Sequence, residues 1–191
     1  MEKQIKVLYE IFDQWNKSKF SGSLPRPILT VQSQGQRKST MAWCTRGRIW
    51  EGEEQQHEIN ICAEYLNIPF EDIAEIMLHE MVHLDNRHKN IKDCSKSGSH
   101  NKKYKATAEA VGLIVTKGSK GWCQTDLSEP LKAEITLWTM DKTVFNLRRV
   151  VEQKVSKPTY GYKCSCGISI RSSKSVNAIC QVCKKPFEGN E

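Results

Sequence analysis

Apolar positions near the start of the chain recur three or four residues apart. Ile5, Leu8, Phe12 and Trp15 form one stripe of a helix, so the spacing predicts an amphipathic helix over residues 2–17. Ser21-Gly-Ser-Leu-Pro-Arg-Pro27 then breaks the pattern as a turn. Three short segments of β character follow, Ile28–Val31, Met41–Thr45 and Glu58–Cys62, separated by Gly, Ser, Arg and Glu. They predict a small, mostly antiparallel sheet. Pro69, Glu71 and Asp72 open a second helix, because Pro is tolerated in a first turn and acids there oppose the helix dipole. It runs through Ile73, Ile76, Met77 and Leu84 and ends near residues 86–90. After a polar loop over 92–98, Ser99 is placed to cap a helix from about His100 to Val111, which Gly112 would stop. Residues 126–157 show no consistent period, and Lys157-Pro-Thr-Tyr-Gly161 reads as a hinge. The expected organisation is an α+β domain over 1–125, a connecting segment over 126–157 and a cysteine-rich module over 158–191.

A chain of 191 residues suits one ordinary domain plus a small appended module. Apolar residues make up 38%, enough for a real core. No run of about 18 apolar residues exists, so no membrane span is expected. Met1-Glu-Lys-Gln-Ile-Lys6 carries charge where a signal peptide needs apolar residues, which predicts an intracellular, cytoplasmic protein. Of eight cysteines, Cys164, Cys166, Cys180 and Cys183 form two tight pairs, whereas Cys44, Cys62, Cys94 and Cys123 stand singly. Paired cysteines without a secretory signal point to metal rather than disulfides, and the single thiols should be reduced.

The net charge is +7 and unevenly placed. From Lys132 to Lys185 there are eleven Lys and Arg against three acids, Glu134, Asp141 and Glu152. Such an excess suits an anionic partner, with nucleic acid the obvious candidate and DNA a possible partner. Arg148, Arg149, Lys154, Arg171 and Lys174 are the candidate contacts. A solvated surface accounts for the charge equally well.

The chemistry centres on Leu78-His79-Glu80-Met81-Val82-His83. On a helix, residues i and i+4 share a face, so both imidazoles can bind one Zn²⁺. Glu80, beside the first ligand, is placed to take a proton from a water that the metal acidifies. It can then hand that proton to a leaving amine. The motif lies among Ile76, Met77, Leu78, Val82 and Leu84, and polar groups in so apolar a helix are costly without a purpose. A catalytic zinc needs a third protein ligand, for which His88, Asp85, His100 and Glu109 are candidates. Asp85, two residues past His83, points away. His100 follows a loop long enough to fold back and is preferred, with Glu109 as the alternative. The metzincin pattern would want Gly at 86 and His at 89, where this chain has Asn86 and Lys89.

The chain resembles the SprT-like metalloproteases, the group that includes Spartan and bacterial SprT. The likeness runs through Trp15-Asn16, Phe20-x-Gly-x-Leu-Pro-x-Pro27, Ala42, Ile59-Asn60-Ile61, Tyr65-Leu66, Leu78-His-Glu-Met-Val-His83 and Ser99-His100-x-x-x-Tyr104. The resemblance implies that His100 is the third zinc ligand. This sequence has Asn101 where the family usually has Gly, and Tyr104 where it usually has Phe. Asn tolerates unusual backbone angles, so the assignment stands. The resemblance further implies a compact zincin fold, with the ligand helix facing a small sheet whose edge can take an extended peptide as an added strand. Spartan-type members cut proteins attached to DNA.

Cys164-Ser-Cys166 and Cys180-Gln-Val-Cys183 suggest a zinc ribbon, in which four thiolates close a structural site. Bacterial SprT-type tails are similar in their tight first pair. The sequence therefore predicts a zinc metallopeptidase of protein or peptide substrates, with DNA-associated proteins as candidate substrates, one catalytic zinc on His79, His83 and His100, Glu80 as the base, and one structural zinc on the four cysteines. The competing reading is a non-catalytic zinc-binding adaptor that recognises nucleic acid or protein. Such an adaptor has no use for Glu80.

Overall fold

A computed structural model describes residues 1–35, 40–150 and 159–189. The chain divides into two compact units, Met1–Val150 and Val151–Glu191. Among the described residues, no helix is long and apolar enough to cross a membrane.

Helix α1 spans Glu2–Lys19 and buries Gln4, Val7, Leu8, Ile11, Phe12 and Trp15, a continuous i, i+3, i+4 face. The stripe is centred slightly differently from the one predicted: Ile5 lies at its margin, and Gln4 is inside because its Nε2 donates to the Val144 carbonyl at 2.8 Å. Trp15 is fully buried and donates through Nε1 to the Ala74 carbonyl at 2.9 Å. Its ring meets Trp138 edge-on at 4.6 Å.

Strands β1 (Ile28–Gln32), β2 (Ala42–Cys44) and β3 (Glu58–Cys62) form a sheet in the order β1-β3-β2. β2 pairs antiparallel with β3, but β1 pairs parallel with it. The return strand β2 is the reason: it sends the chain back before β3 inserts between the other two. The pairing of β1 is the one exception to an otherwise antiparallel set among the described strands.

Helix α2, Phe70–His88, is buried on nearly all sides, and it packs on α1 and β2 as well as on elements that follow it. An apolar helix of this kind becomes the core of its domain. It ends at Lys89, and Asn90 turns away with φ +57°. Helix α3 is Lys102–Ala110. It begins two residues later than the sequence suggests, because Asn101, not Ser99, is its cap: Asn101 Oδ1 accepts from the amides of Lys103 (2.8 Å) and Tyr104 (3.3 Å). Gly112 follows with φ +97°, which suits a glycine just past a helix end.

An antiparallel hairpin comes next, β4 (Leu113–Gly118) and β5 (Gly121–Leu127). The segment with no sequence period then forms helix α4, Glu129–Thr136, and a single 3₁₀ turn over Lys142–Val144. Leu131, Ile135, Trp138, Val144 and Phe145 are all buried in the main core. The first unit therefore reaches Val150 rather than stopping at 125. The expected hinge over 157–161 begins outside the described residues.

The second unit contains β6 (Tyr160–Lys163), β7 (Ser169–Ser172) and β8 (Glu188–Gly189), an antiparallel sheet in the order β7-β6-β8.

Candidate metal centre

His79 and His83 stand one turn apart on α2 and face the strand-like entry to α3, where His100 lies. The three Nε2 atoms converge: His79 to His100 is 3.2 Å and His83 to His100 is 2.9 Å. Donors about 2.0–2.1 Å from a tetrahedral ion sit about 3.3 Å apart, so the triad matches one zinc coordination sphere in size.

The opposite ring nitrogens show which electrons point inward. His83 Nδ1 donates to Asp93 Oδ2 at 2.6 Å, a buried contact. His79 Nδ1 lies 2.9 Å from Thr125 Oγ1, whose hydroxyl donates to Glu75. Where Nδ1 is the donor on both rings, both Nε2 atoms carry lone pairs. Two lone pairs aimed at a third imidazole nitrogen repel unless a cation or proton lies among them. Burial holds His79 well below the ordinary value for histidine, with His83 and His100 adding to the effect. Burial, then His83, brings His100 down to about 4. Neutral imidazoles are metal ligands, so this donor set fits a zinc ion.

Glu80 is 5% exposed, and its Oε2 has no hydrogen-bond partner. Burial pushes its carboxyl up, while His83, Arg87 and the Cys44 backbone N–H draw it back. Burial raises Glu75 to about 7 against the pull of its Thr125 hydrogen bond. Burial also raises Asp93, but its bond to His83 and the Arg87 charge outweigh that and hold it below the usual range. The Tyr104 ring lies against all three imidazoles, with centroids 4.5–4.9 Å away.

His100 is seated by its backbone. Its N–H donates to Lys120 at 2.9 Å and its carbonyl accepts from Trp122 at 3.1 Å, so the β4–β5 turn grips it on both sides. Asn101 has φ −102°, ordinary extended backbone. Its value at this position is the cap it provides, not tolerance of unusual angles.

The other candidates for third ligand lie elsewhere. Glu109 and His88 are exposed, and Asp85 is buried but pairs with Lys89 at 2.7 Å. Asp93, Thr125 and Glu75 were missed by the sequence reading. Asp93 stands in a loop with no periodic signal, though an acid between two spaced histidines was a clue. The β-prone run Leu113-Ile-Val-Thr116 before Lys117-Gly-Ser-Lys-Gly121 could have revealed the hairpin that carries Thr125.

In the second unit, Cys164, Cys166, Cys180 and Cys183 gather with all four sulfurs within 4.8 Å of one another. Cys164 Sγ is 3.0 Å from Cys183 and 3.5 Å from Cys166, and Cys166 is 3.6 Å from Cys180. A closed set of four thiols suits a structural metal. Arg148 and Arg149 are exposed in the first unit, and Arg171 and Lys174 are exposed in the second. Lys154 lies outside the described residues.

A family model described as the SprT-like family matches residues 8–130, nearly two thirds of the chain. No curated protein and no solved structure matches.

Proposed function

Since the chain belongs to the SprT-like family, which is typically metalloprotease-like, we propose that it is a zinc-dependent endopeptidase with His79, His83 and His100 as zinc ligands and Glu80 as its general base. The observation that carries this reading is the convergence of three imidazole Nε2 atoms beside a buried, half-unpartnered carboxylate. The ligand helix packed on a small sheet supports a zincin-like architecture.

Zinc held there would supply Lewis acidity, polarising a peptide carbonyl and acidifying a water. Glu80 would accept a proton at Oε2 and return it to the departing amine. Its burial favours the protonated form at that midpoint, and the Arg87 charge keeps the carboxylate within reach. Asp93 and Thr125 would hold the ligand rings in orientation. The four cysteines would hold a second, structural zinc that staples a unit too small for a large core.

Glu80→Gln tests the base. It should retain both zinc ions by elemental analysis and lose cleavage of unstructured and DNA-binding protein substrates. Turnover equal to wild type would overturn the mechanism. His100→Ala should lose one zinc, and an equivalent loss in Glu109→Ala instead would reassign the ligand.

The basic excess after Lys132 supports a further reading, that the substrates are DNA-associated proteins and that DNA binding promotes their cleavage. Contacts of Lys and Arg with phosphates release counterions, so affinity should fall steeply with salt and show little sequence preference. Titrations of single- and double-stranded DNA at two salt concentrations test it. Binding unchanged after neutralising Arg148, Arg149, Lys154, Arg171 and Lys174 would refute it.

A further inference from the structure

The Thr125–Glu75 pair behind His79 has chemistry of its own. Glu75 sits one turn before His79 on α2, half-buried, and forms no ion pair among the described residues. It takes its hydrogen bond instead from the Thr125 hydroxyl, supplied by β5 across 50 residues of chain. A carboxylate removed from water without a cation is costly, so a plain structural role is a poor account of it.

A hydroxyl has one proton. With Glu75 ionised and acceptor only, that proton is directed at Glu75, and Thr125 Oγ1 can present only a lone pair to His79 Nδ1, 2.9 Å away. His79 must then be protonated on Nδ1, which leaves Nε2 free to face His100. We propose that Thr125 and Glu75 are positioning residues that fix His79 in the one tautomer able to ligate a metal. This rests on the zinc reading above and extends it to groups that touch neither metal nor substrate. Asp93 does the equivalent task for His83 directly, by a charged contact. The intervening hydroxyl at His79 fixes the same direction of donation while keeping the second carboxylate one group further from the ring. Outer partners of this kind orient the ring and raise its basicity.

The test uses the full-length chain. Zinc affinity of the histidine centre is measured by competition with a chromophoric chelator, with His79→Ala/His83→Ala giving the contribution of the cysteines. Thr125→Val keeps the β-branched shape and removes the hydroxyl, so affinity should fall about 10- to 100-fold, and Thr125→Ser should restore most of it. In the metal-free protein, ¹⁵N shifts should report His79 protonated on Nδ1 in wild type and Thr125→Ser, and no longer fixed so in Thr125→Val. Glu75→Ala gives an independent route if Thr125→Val does not fold: a hydroxyl without its acceptor is free to turn its proton toward His79, and both readouts should shift. Unchanged affinity and tautomer in these variants, while His79→Ala still loses the metal, would overturn the proposal and leave the zinc reading standing. Two equal metal contents in wild type and His79→Ala/His83→Ala would instead defeat the zinc reading itself.

Discussion

Gly121→Ala isolates the seat of His100. Gly121 has φ +77°, and a Cβ there would lie 2.2 Å from the His100 carbonyl oxygen. Carbon and oxygen rest about 3.3 Å apart at their closest ordinary contact, so the turn must retreat by about 1 Å. Left-handed backbone costs a residue with a Cβ about 1–2 kcal/mol. Loss of the flanking bonds from His100 N–H to Lys120 and from Trp122 N–H to His100 adds about 1 kcal/mol each. Restricting the unfolded chain returns about 0.4–1 kcal/mol. The net loss should be about 2–3.6 kcal/mol. Gly22→Ala is the matched control, because φ there is +71° and nothing lies within 4 Å, so only about 1 kcal/mol should be lost. All five tryptophans (Trp15, Trp43, Trp50, Trp122 and Trp138) belong to the first unit, so urea unfolding followed by Trp fluorescence reports that unit alone. The metal must be removed beforehand, since a ligand of the folded state adds its own stability. In a separate chelator competition, a displaced His100 should weaken zinc binding about tenfold or more. If Gly121→Ala costs no more than Gly22→Ala and binds zinc unchanged, the hairpin does not seat His100.

Asp93→Asn keeps an acceptor for His83 Nδ1 but removes the charge, so zinc affinity should fall about tenfold. Asp93→Ala, which leaves a buried ring nitrogen unpaired, should fall toward 100-fold, both read by chelator competition. Glu64 offers a pH dependence remote from the metal. Burial raises its carboxyl, but the Ser33 hydroxyl at 2.5 Å and the Gln34 N–H at 3.0 Å prevail and hold it below the ordinary 4.5. A folded value lower than the unfolded one contributes stability above the unfolded value and loses it as pH falls through the folded one. The stability advantage of wild type over Glu64→Gln should therefore be constant near neutrality and shrink as pH falls below about 4.5; a gap that stays level from pH 6 to pH 3 would contradict it.

What the sequence disclosed was written in short periods. The stripe of α1 and the His79–Glu80–His83 spacing are properties of one helix, and they need no knowledge of the rest of the chain. His100 was legible because a loop brings it back within a few turns. Thr125 and Glu75 were not, because their partnership spans two elements 50 residues apart. The region after 126 defeated the reading for another reason: α4 makes only about two turns, and Trp138, Val144 and Phe145 enter the core from irregular backbone that has no period to detect. Asn101 departs from the family's usual Gly, and the reason for it, the cap it forms for Lys103 and Tyr104, is visible only in the folded chain.

The separations of contacting groups along the chain also bear on the order in which the first unit assembles. His83 and His100 are 17 positions apart, whereas Gln4 reaches Val144 across 140. Closing a flexible loop costs about (3/2)RT ln n, so the longer closure is dearer by about 2 kcal/mol. The histidine cluster is thus the inexpensive joint and the meeting of the chain's first helix with its last 3₁₀ turn the expensive one. Contacts of long span form late and are the natural place for partial opening. Native-state hydrogen exchange should therefore find α1 parting from Val144 at lower free energy than α2 parts from the segment around His100.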